Sequence, residues 1–428
     1  MASSSFVKFG SAVASGALAA GMWAGAAEAA VHPAIGRTYL QPVRGAQMLR
    51  RQVKAAAVST FTTLYSFVGN PDGANPSGEL LEDLQGNVYG STQAGGVAGV
   101  GTVYKYANGA VTTLHSFSGP DGSSPAGGLL NSVGNLDLGG NIFGVTTSGG
   151  ARKRGVIYSV NGSTGAFSIL HTFTGGLQGG TPYGRLILFT DGNIYGTTSL
   201  GGGYNRGLIF RLTPSGVYSV VACFNGKTGA YPIAGLAASL NGFQIKRSLF
   251  GVTSAGGTYG GGSVFALTPQ GKIVNIHSFN PAIDGSAPNA ELIPDDNGNL
   301  YGTATSGGSG NAGTLFEISA AGKFSLLYSF PTDPATMLNP NGSFPFARLA
   351  TWFNGALYGS TAFGGATGGG VLFKYAGGTF TLLHTFSGSD GATPIGQLLL
   401  SPDGNIYGTT ADGGAGTYGT LFAMPFTP

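Results

Sequence analysis

From Thr60 to Met424 short apolar runs alternate with breaks rich in Gly, Ser and Asn, and the alternation itself repeats. In the first unit the strand-like runs lie around Glu79-Leu80-Leu81, then at Asn87–Ser91, Thr102–Tyr106 and Val111–Phe117. We letter them a to d. Breaks such as Asp191-Gly192-Asn193 and Asn108-Gly109 suit tight hairpins, because Gly and Asn tolerate positive φ. The strongest marker is an aromatic followed by Gly, then Ser or Thr, then a Gly-Gly pair. It recurs at Tyr89, Phe143, Tyr195, Phe250, Tyr301, Tyr358 and Tyr407, at spacings of 54, 52, 55, 51, 57 and 49 residues. A period of this length built from short strands predicts propeller blades.

The ends of the array predict how the ring closes. The last unit stops after strand c, Thr420–Met424, while Thr60–Phe67 precedes the first unit and matches the d strand Thr379–Phe386. The orphan strand therefore completes the last blade and leaves no open sheet edge. The expected architecture is all-β: a seven-bladed propeller of four-stranded antiparallel blades, 28 strands in all, over residues 57–428. Aromatic columns at b, at c (Tyr104 to Phe422) and at d (Phe67 to Phe386) read as packing between blades. Phe replaces Tyr at b and c, so no role is expected there for the hydroxyl.

The repeat phrases DGNIYGTTSLGGGYNRGLIFRLTPSG and DGNIYGTTADGGAGTYGTLFAM resemble the GloVer-type tandem repeat, a family of bacterial exported propeller-like proteins. The resemblance covers residues 60 to 424. It implies an extracellular or surface protein with no assigned reaction. Relatives often carry a C-terminal sorting tail; the chain ends at Met424-Pro425-Phe426-Thr427-Pro428, which favours secretion over anchoring. Trp-Asp, kelch and Asp-box signatures are absent.

Composition narrows the partners. Charged residues make up 9% of 428, against roughly 25% in typical domains. The formal charge of +3 is concentrated at the start, where residues 1–56 hold six basic residues and one acid. The remainder holds 14 basic and 16 acidic residues, a net of −2, which gives no basic face for nucleic acid. Residues 1–29 read as a secretory signal, with Lys8, an apolar stretch from Ser11 to Ala27 and a small-x-small cleavage site at Ala27-Glu28-Ala29. Residues 30–56 read as a flexible basic leader. The mature chain has no membrane-length apolar run, and the expected location is extracellular or periplasmic. Cys223 stands alone, so no intrachain disulfide forms.

Catalytic motifs are missing: no G-x-S-x-G elbow, H-E-x-x-H, P-loop or D-x-D-x-D-G calcium loop occurs. No cofactor is expected, and calcium has no motif behind it. His115, His171, His277 and His384 share one d-strand position, on separate blades, and do not converge as metal ligands do. The d–a loops hold Asp72, Asp121, Asp284 and Asp390, with Asn341 in the sixth unit. These read first as loop-stabilising Asx turns, and second as a ring of carboxylates for calcium or sugar hydroxyls. Arg152, Lys153 and Arg154 break the repeat in a b–c loop and offer a site for an anionic polymer; Trp352 offers a ring for stacking on a sugar. The d–a and b–c loops are expected on one face of the disc. The resulting expectation is a monomeric, non-catalytic binder of a polymer, glycan or surface protein. The alternative is a polysaccharide-degrading lyase or glycoside hydrolase with its site at the central opening.

Overall fold

The computed structural model describes residues 60–131, 140–239, 248–332, 339–352 and 355–426. The expected signal and leader lie outside them, as does a basic pair of the fourth unit, Lys246-Arg247. The strands form seven antiparallel sheets, each ordered d-c-b-a. In the third unit these are Ile187–Leu188 (a), Ile194–Thr198 (b), Leu208–Leu212 (c) and Tyr218–Cys223 (d). The seventh sheet joins Leu399–Leu400, Asn405–Thr410 and Thr420–Pro425 to Thr62–Ser66, which pairs Thr62 with Ala423 and Ser66 with Thr420. The orphan strand thus completes the last blade. The described strands number 29 rather than 28, because Ala74–Pro76 makes an extra pairing with Val88–Ala94. No helix among the described residues is long and apolar enough to cross a membrane.

The hydrophobic cores lie between neighbouring sheets. Tyr89, Val103 and Phe117 of the first blade pack on Ile142, Val156 and Tyr158 of the second. The closing contact has the same form: Phe67 and Leu421 of the seventh blade meet Leu80, Val88 and Tyr104 of the first.

The aromatic–Gly phrase has a steric cause. The glycine after each b aromatic lies under the ring of the paired c strand. A Cβ there would sit 2.6 Å from Phe265 Cζ at Gly251 and 2.6 Å from Phe316 Cζ at Gly302. Neither glycine has a positive φ, so space rather than backbone freedom requires it. The b hydroxyls are used, contrary to expectation. Tyr89, Tyr195, Tyr301 and Tyr407 donate to Asp83, Asp191, Asp295 and Asp403 of their own a–b turns at 3.1, 2.8, 3.2 and 2.7 Å. Burial, reinforced by these carboxylates, pushes Tyr195 and Tyr301 up to about 12. At c the expectation holds, since the buried Tyr104 and Tyr158 hydroxyls have no partner.

Each d strand carries a bulge one residue before the His/Tyr position. The c–d register shifts between Thr113 and His115, between Asn275 and His277, and between Leu382 and His384. The extra residue re-aims the following side chain.

Candidate functional site

Every unit enters strand a through the same frame, Pro-x-(Gly/Ala)-X-Leu: Pro76–Leu80, Pro125–Leu129, Pro182–Leu186, Pro232–Leu236, Pro288–Leu292, Pro345–Leu349 and Pro394–Leu398. The leucine is buried in all seven, in the cores between blades. The Gly or Ala faces the next blade's backbone. A Cβ on Gly78 would lie 3.0 Å from the Gly127 oxygen, and one on Gly127 would lie 3.0 Å from the Tyr183 oxygen. Seven chain entries converge on the axis only because this position is small. The X position faces the axis, and there the repeat ends: Glu79, Gly128, Arg185, Gly235, Glu291, Arg348 and Gln397.

The four charged residues close a ring. Arg185 Nε lies 2.8 Å from Glu79 Oε2, and its Nη2 lies 2.7 Å from Glu291 Oε1. Arg348 reaches the same two carboxylates from Nη1 and Nε, at 3.2 and 3.4 Å. Glycine at the two intervening positions leaves room for these long side chains. A Cβ on Gly128 would press on Glu79 and lie 3.1 Å from Arg185 Cδ; one on Gly235 would strike Glu291 Oε2. Burial pushes the Glu79 carboxyl above its ordinary value, against the pull of Arg185 and Arg348. Burial works against the Arg185 charge, but Glu291 and Glu79 beside it hold the guanidinium protonated more firmly than usual. Two acids and two bases leave the ring neutral.

The ring is shielded, yet within reach of solvent. Side-chain exposure is 6% for Glu291, 17% for Arg348, 18% for Glu79 and 21% for Arg185. It borders a cavity of about 110 Å³, whose other walls include Tyr183, Ile233, Phe346 and Ile395. These are the x positions of the Pro-x-(Gly/Ala)-X-Leu frame, two residues nearer the d–a loops. The remaining x positions are Ser77, Ala126 and Asn289, so the mouth on that face is aromatic and aliphatic on one part of its rim and polar on the other, above a charged floor.

The d–a carboxylates serve their own blades. Asp121, Asp284 and Asp390 meet Nε2 of His115, His277 and His384 at 2.9, 2.9 and 2.8 Å. Asp72 accepts from the Tyr65 hydroxyl at 2.6 Å, and Asn341 donates to the Tyr328 hydroxyl at 2.8 Å. Each carboxylate also accepts a loop N–H: Val68, Ser118, Asn280 or Ser387. The three imidazoles in turn stack on the next blade, His115 on Phe167 at 3.8 Å, His277 on Phe324 at 3.9 Å and His384 on Phe61 at 3.7 Å across the closure. The four aspartates are therefore not gathered into one site. Burial lowers the His115 and His277 values against their Asp partners. Burial also opposes the Asp121 and Asp390 charges, but the Ser118 or Ser387 groups and the histidine outweigh it and hold both carboxylates below the usual range. Where the loop has neither Asp nor Asn, the latch is missing: Ala222 replaces His, and His171 keeps its ring contacts with Tyr218 and Phe173, with Nε2 unpartnered.

Arg152 and Lys153 are exposed on the second unit's b–c loop, and Arg154 lies against Gly175 and Gly180. Trp352 sits in the sixth unit's a–b turn, on the opposite face, with its ring 5.1 Å from Phe426. No group of three or more His, Cys, Asp or Glu able to hold a metal occurs among the described residues. Sequence reasoning missed Glu79, Arg185, Glu291 and Arg348, although aligning the seven Pro-x-(Gly/Ala)-X-Leu frames exposes them.

Among solved structures, the chain is similar to the GH74 enzyme of Niastella koreensis, with TM-score 0.54 and 16% identity over 82% of this chain and 52% of that one. It therefore spans about half the length of that enzyme. It is also similar to an oligogalacturonate lyase solved with manganese, with TM-score 0.52 and 13% identity over 87% of this chain and 95% of that one. At such identities the likeness shows the propeller fold alone. No curated protein matches the chain. The model of the Gloeobacter/Verrucomicrobia repeat matches residues 136–349 and 334–427, more than half of the sequence, and the chain belongs to that repeat family.

Proposed function

We propose that this chain is a secreted or surface-associated, non-catalytic propeller that binds a glycan at the loop-face mouth of its axis. One observation carries the reading: the X position is where a sevenfold repeat becomes Glu, Gly, Arg, Gly, Glu, Arg and Gln, and all seven face one cavity. A frame held for closure alone has no use for four charges at its centre, since burying an ion pair is at best weakly stabilising. The ring is neutral and its charges are mutually paired, so it makes no demand for a counter-ion. What it offers is alternating acceptors and donors beneath Tyr183 and Phe346. Vicinal hydroxyls match that pattern, and sugar faces stack on such rings, as ligand sites usually combine apolar walls with a few placed polar groups.

A second reading is a polysaccharide-degrading enzyme at the same opening. Its support is that two carboxylates share the cavity and burial holds Glu79 above its ordinary value, the kind of perturbation that acid–base catalysis uses. The solved enzymes above share the fold, which hosts both activities. A glycan array and a reducing-end assay on the same polysaccharides separate the readings. The binding account expects retained glycans, no new reducing ends, and binding lost in Tyr183→Ala and Phe346→Ala. Turnover that disappears in Glu79→Gln overturns the non-catalytic account. An array without a single retained glycan overturns the axial glycan site.

A further inference from the structure

We propose that a second site, separate from the axis, lies on the loop face of the second to fourth units and takes an anionic polysaccharide. The d–a and b–c loops of this sector hold Arg152, Lys153, Arg154, Arg206 and Lys227. The same loops hold no acid from residue 147 to 155, 173 to 186, 199 to 207, 224 to 236 or 254 to 262. This is the stretch in which the Asp-Gly of the latch is replaced by Gln178-Gly179 and Thr228-Gly229. Elsewhere the d–a loops carry Asp72, Asp121, Asp284 and Asp390. The near-neutral propeller is therefore polarised across one face. None of the five cations has a carboxylate within ion-pair distance among the described residues.

The sector also has shape and stacking surfaces. A groove of about 570 Å³ runs between the first and second units, at the edge of this sector, walled by Val100, Gly119, Pro120, Ser123, Ser148 and Lys153; the one acid of its d–a loop, Asp121, is engaged by His115 and the Ser118 N–H. Ser123 and Ser148 present a hydroxyl pair 2.7 Å apart. Lys153 is held in the left-handed region at φ 55 by a turn in which its N–H donates to the Gly150 oxygen at 3.0 Å. Tyr204 and Tyr259 are more than half exposed on the next two b–c loops. Arg206 lies over the Tyr231 ring at 5.6 Å and donates to its hydroxyl at 3.2 Å. Spaced cations, hydroxyls lining a groove and tyrosine faces on successive blades match a chain of acidic sugars. Carboxylated and sulfated chains share this chemistry.

The test is calorimetric titration of the full chain with polygalacturonate, dextran sulfate, neutral dextran, polyglutamate and duplex DNA. The variant Arg152→Ser/Lys153→Ser leaves Arg154 packed against Gly175. The control Lys272→Ser/Lys323→Ser removes the same charge from the opposite face. We expect an acidic polysaccharide to bind and neutral dextran not to. The double loop variant should lose about tenfold or more and show a shallower salt dependence, while the control and Tyr183→Ala stay within about twofold. Binding of polygalacturonate alone assigns carboxylate, and of dextran sulfate alone assigns sulfate; either supports the site. Equal loss in the control overturns it, as does equal binding of polyglutamate or DNA, or no binding of either acidic chain. The axial glycan site stands or falls separately, on Tyr183 and Phe346.

Discussion

Replacing Arg185 with Met tests whether the axial charges form one buried unit. Arg185 makes the two shortest contacts of the ring, 2.8 Å to Glu79 and 2.7 Å to Glu291. Met keeps most of the stem volume and removes the charge, so both carboxylates must share Arg348. Removing one member of a buried ion network costs about 3–5 kcal/mol, because the remaining charge is left uncompensated. Unfolding entropy is about 2 cal/mol/K per residue, so a propeller of this size should lose about 4–6 °C in Tm. The cost has a pH signature. Burial already holds Glu79 above its ordinary value, and losing Arg185 raises it further. A carboxyl raised in the folded state takes up protons on folding, so the deficit should shrink as pH falls from 8 to 5. Replacing all four residues with Leu and Met of similar volume should come out near neutral, or about 1–4 kcal/mol more stable. Scanning calorimetry at both pH values reads all three outcomes. A Tm change below about 1 °C in Arg185→Met, independent of pH, refutes the reasoning, since it means the ring is solvated like a surface pair.

The His–Asp latches should make the propeller acid-sensitive in two steps. His115 and His277 lie below their ordinary value and Asp121 and Asp390 below theirs, so the unfolded chain binds more protons and stability falls as pH drops below about 6.5 and again below about 4. Asp121→Asn should cost about 1–2 kcal/mol at pH 7, and the gap should narrow as the pH falls below about 4 and the wild-type carboxylate takes up its proton; a gap that does not change with pH contradicts the latch. Gly251→Ala should lower stability by about 1–3 kcal/mol, since the new Cβ meets the Phe265 ring at 2.6 Å and forces repacking; an unchanged urea midpoint contradicts the steric account of the aromatic–Gly phrase. A chain starting after Phe67 loses the strand that covers Thr420–Pro425 and opens the core of Phe67, Leu80, Val88, Tyr104 and Leu421. It should melt lower and scatter light as its edge pairs between molecules, whereas an unchanged melt contradicts non-covalent closure.

The blades and their closure were legible because strand period, hairpin turns and the Thr60–Phe67 match are local or additive signals. The latch was half legible. His115, His277 and His384 form one column and Asp121, Asp284 and Asp390 another, and Ala222 coincides with the missing Asp at Thr228-Gly229. The bulge that turns one column toward the other leaves no mark in composition. The tyrosine hydroxyls at b were misjudged because substitution by Phe143 and Phe250 suggested that packing alone mattered; in four other units an Asp of the a–b turn uses them. The axial ring escaped notice for a different reason. Ordered pairing at strand a spans two or three residues, as in Leu81–Glu82 and Ala237–Ser239, so periodicity does not say which neighbour faces the axis. Only the convergence of seven Pro-x-(Gly/Ala)-X-Leu frames puts Glu79 beside Arg185 and Arg348, residues far apart in the chain.

Hydrogen exchange with and without an array-selected glycan tests the axial site most directly. The account predicts added protection confined to the frames around Tyr183–Leu186, Phe346–Leu349 and their equivalents, abolished by Tyr183→Ala with the unliganded pattern unchanged. Protection that appears instead on the outer d strands or on the a–b turns contradicts it.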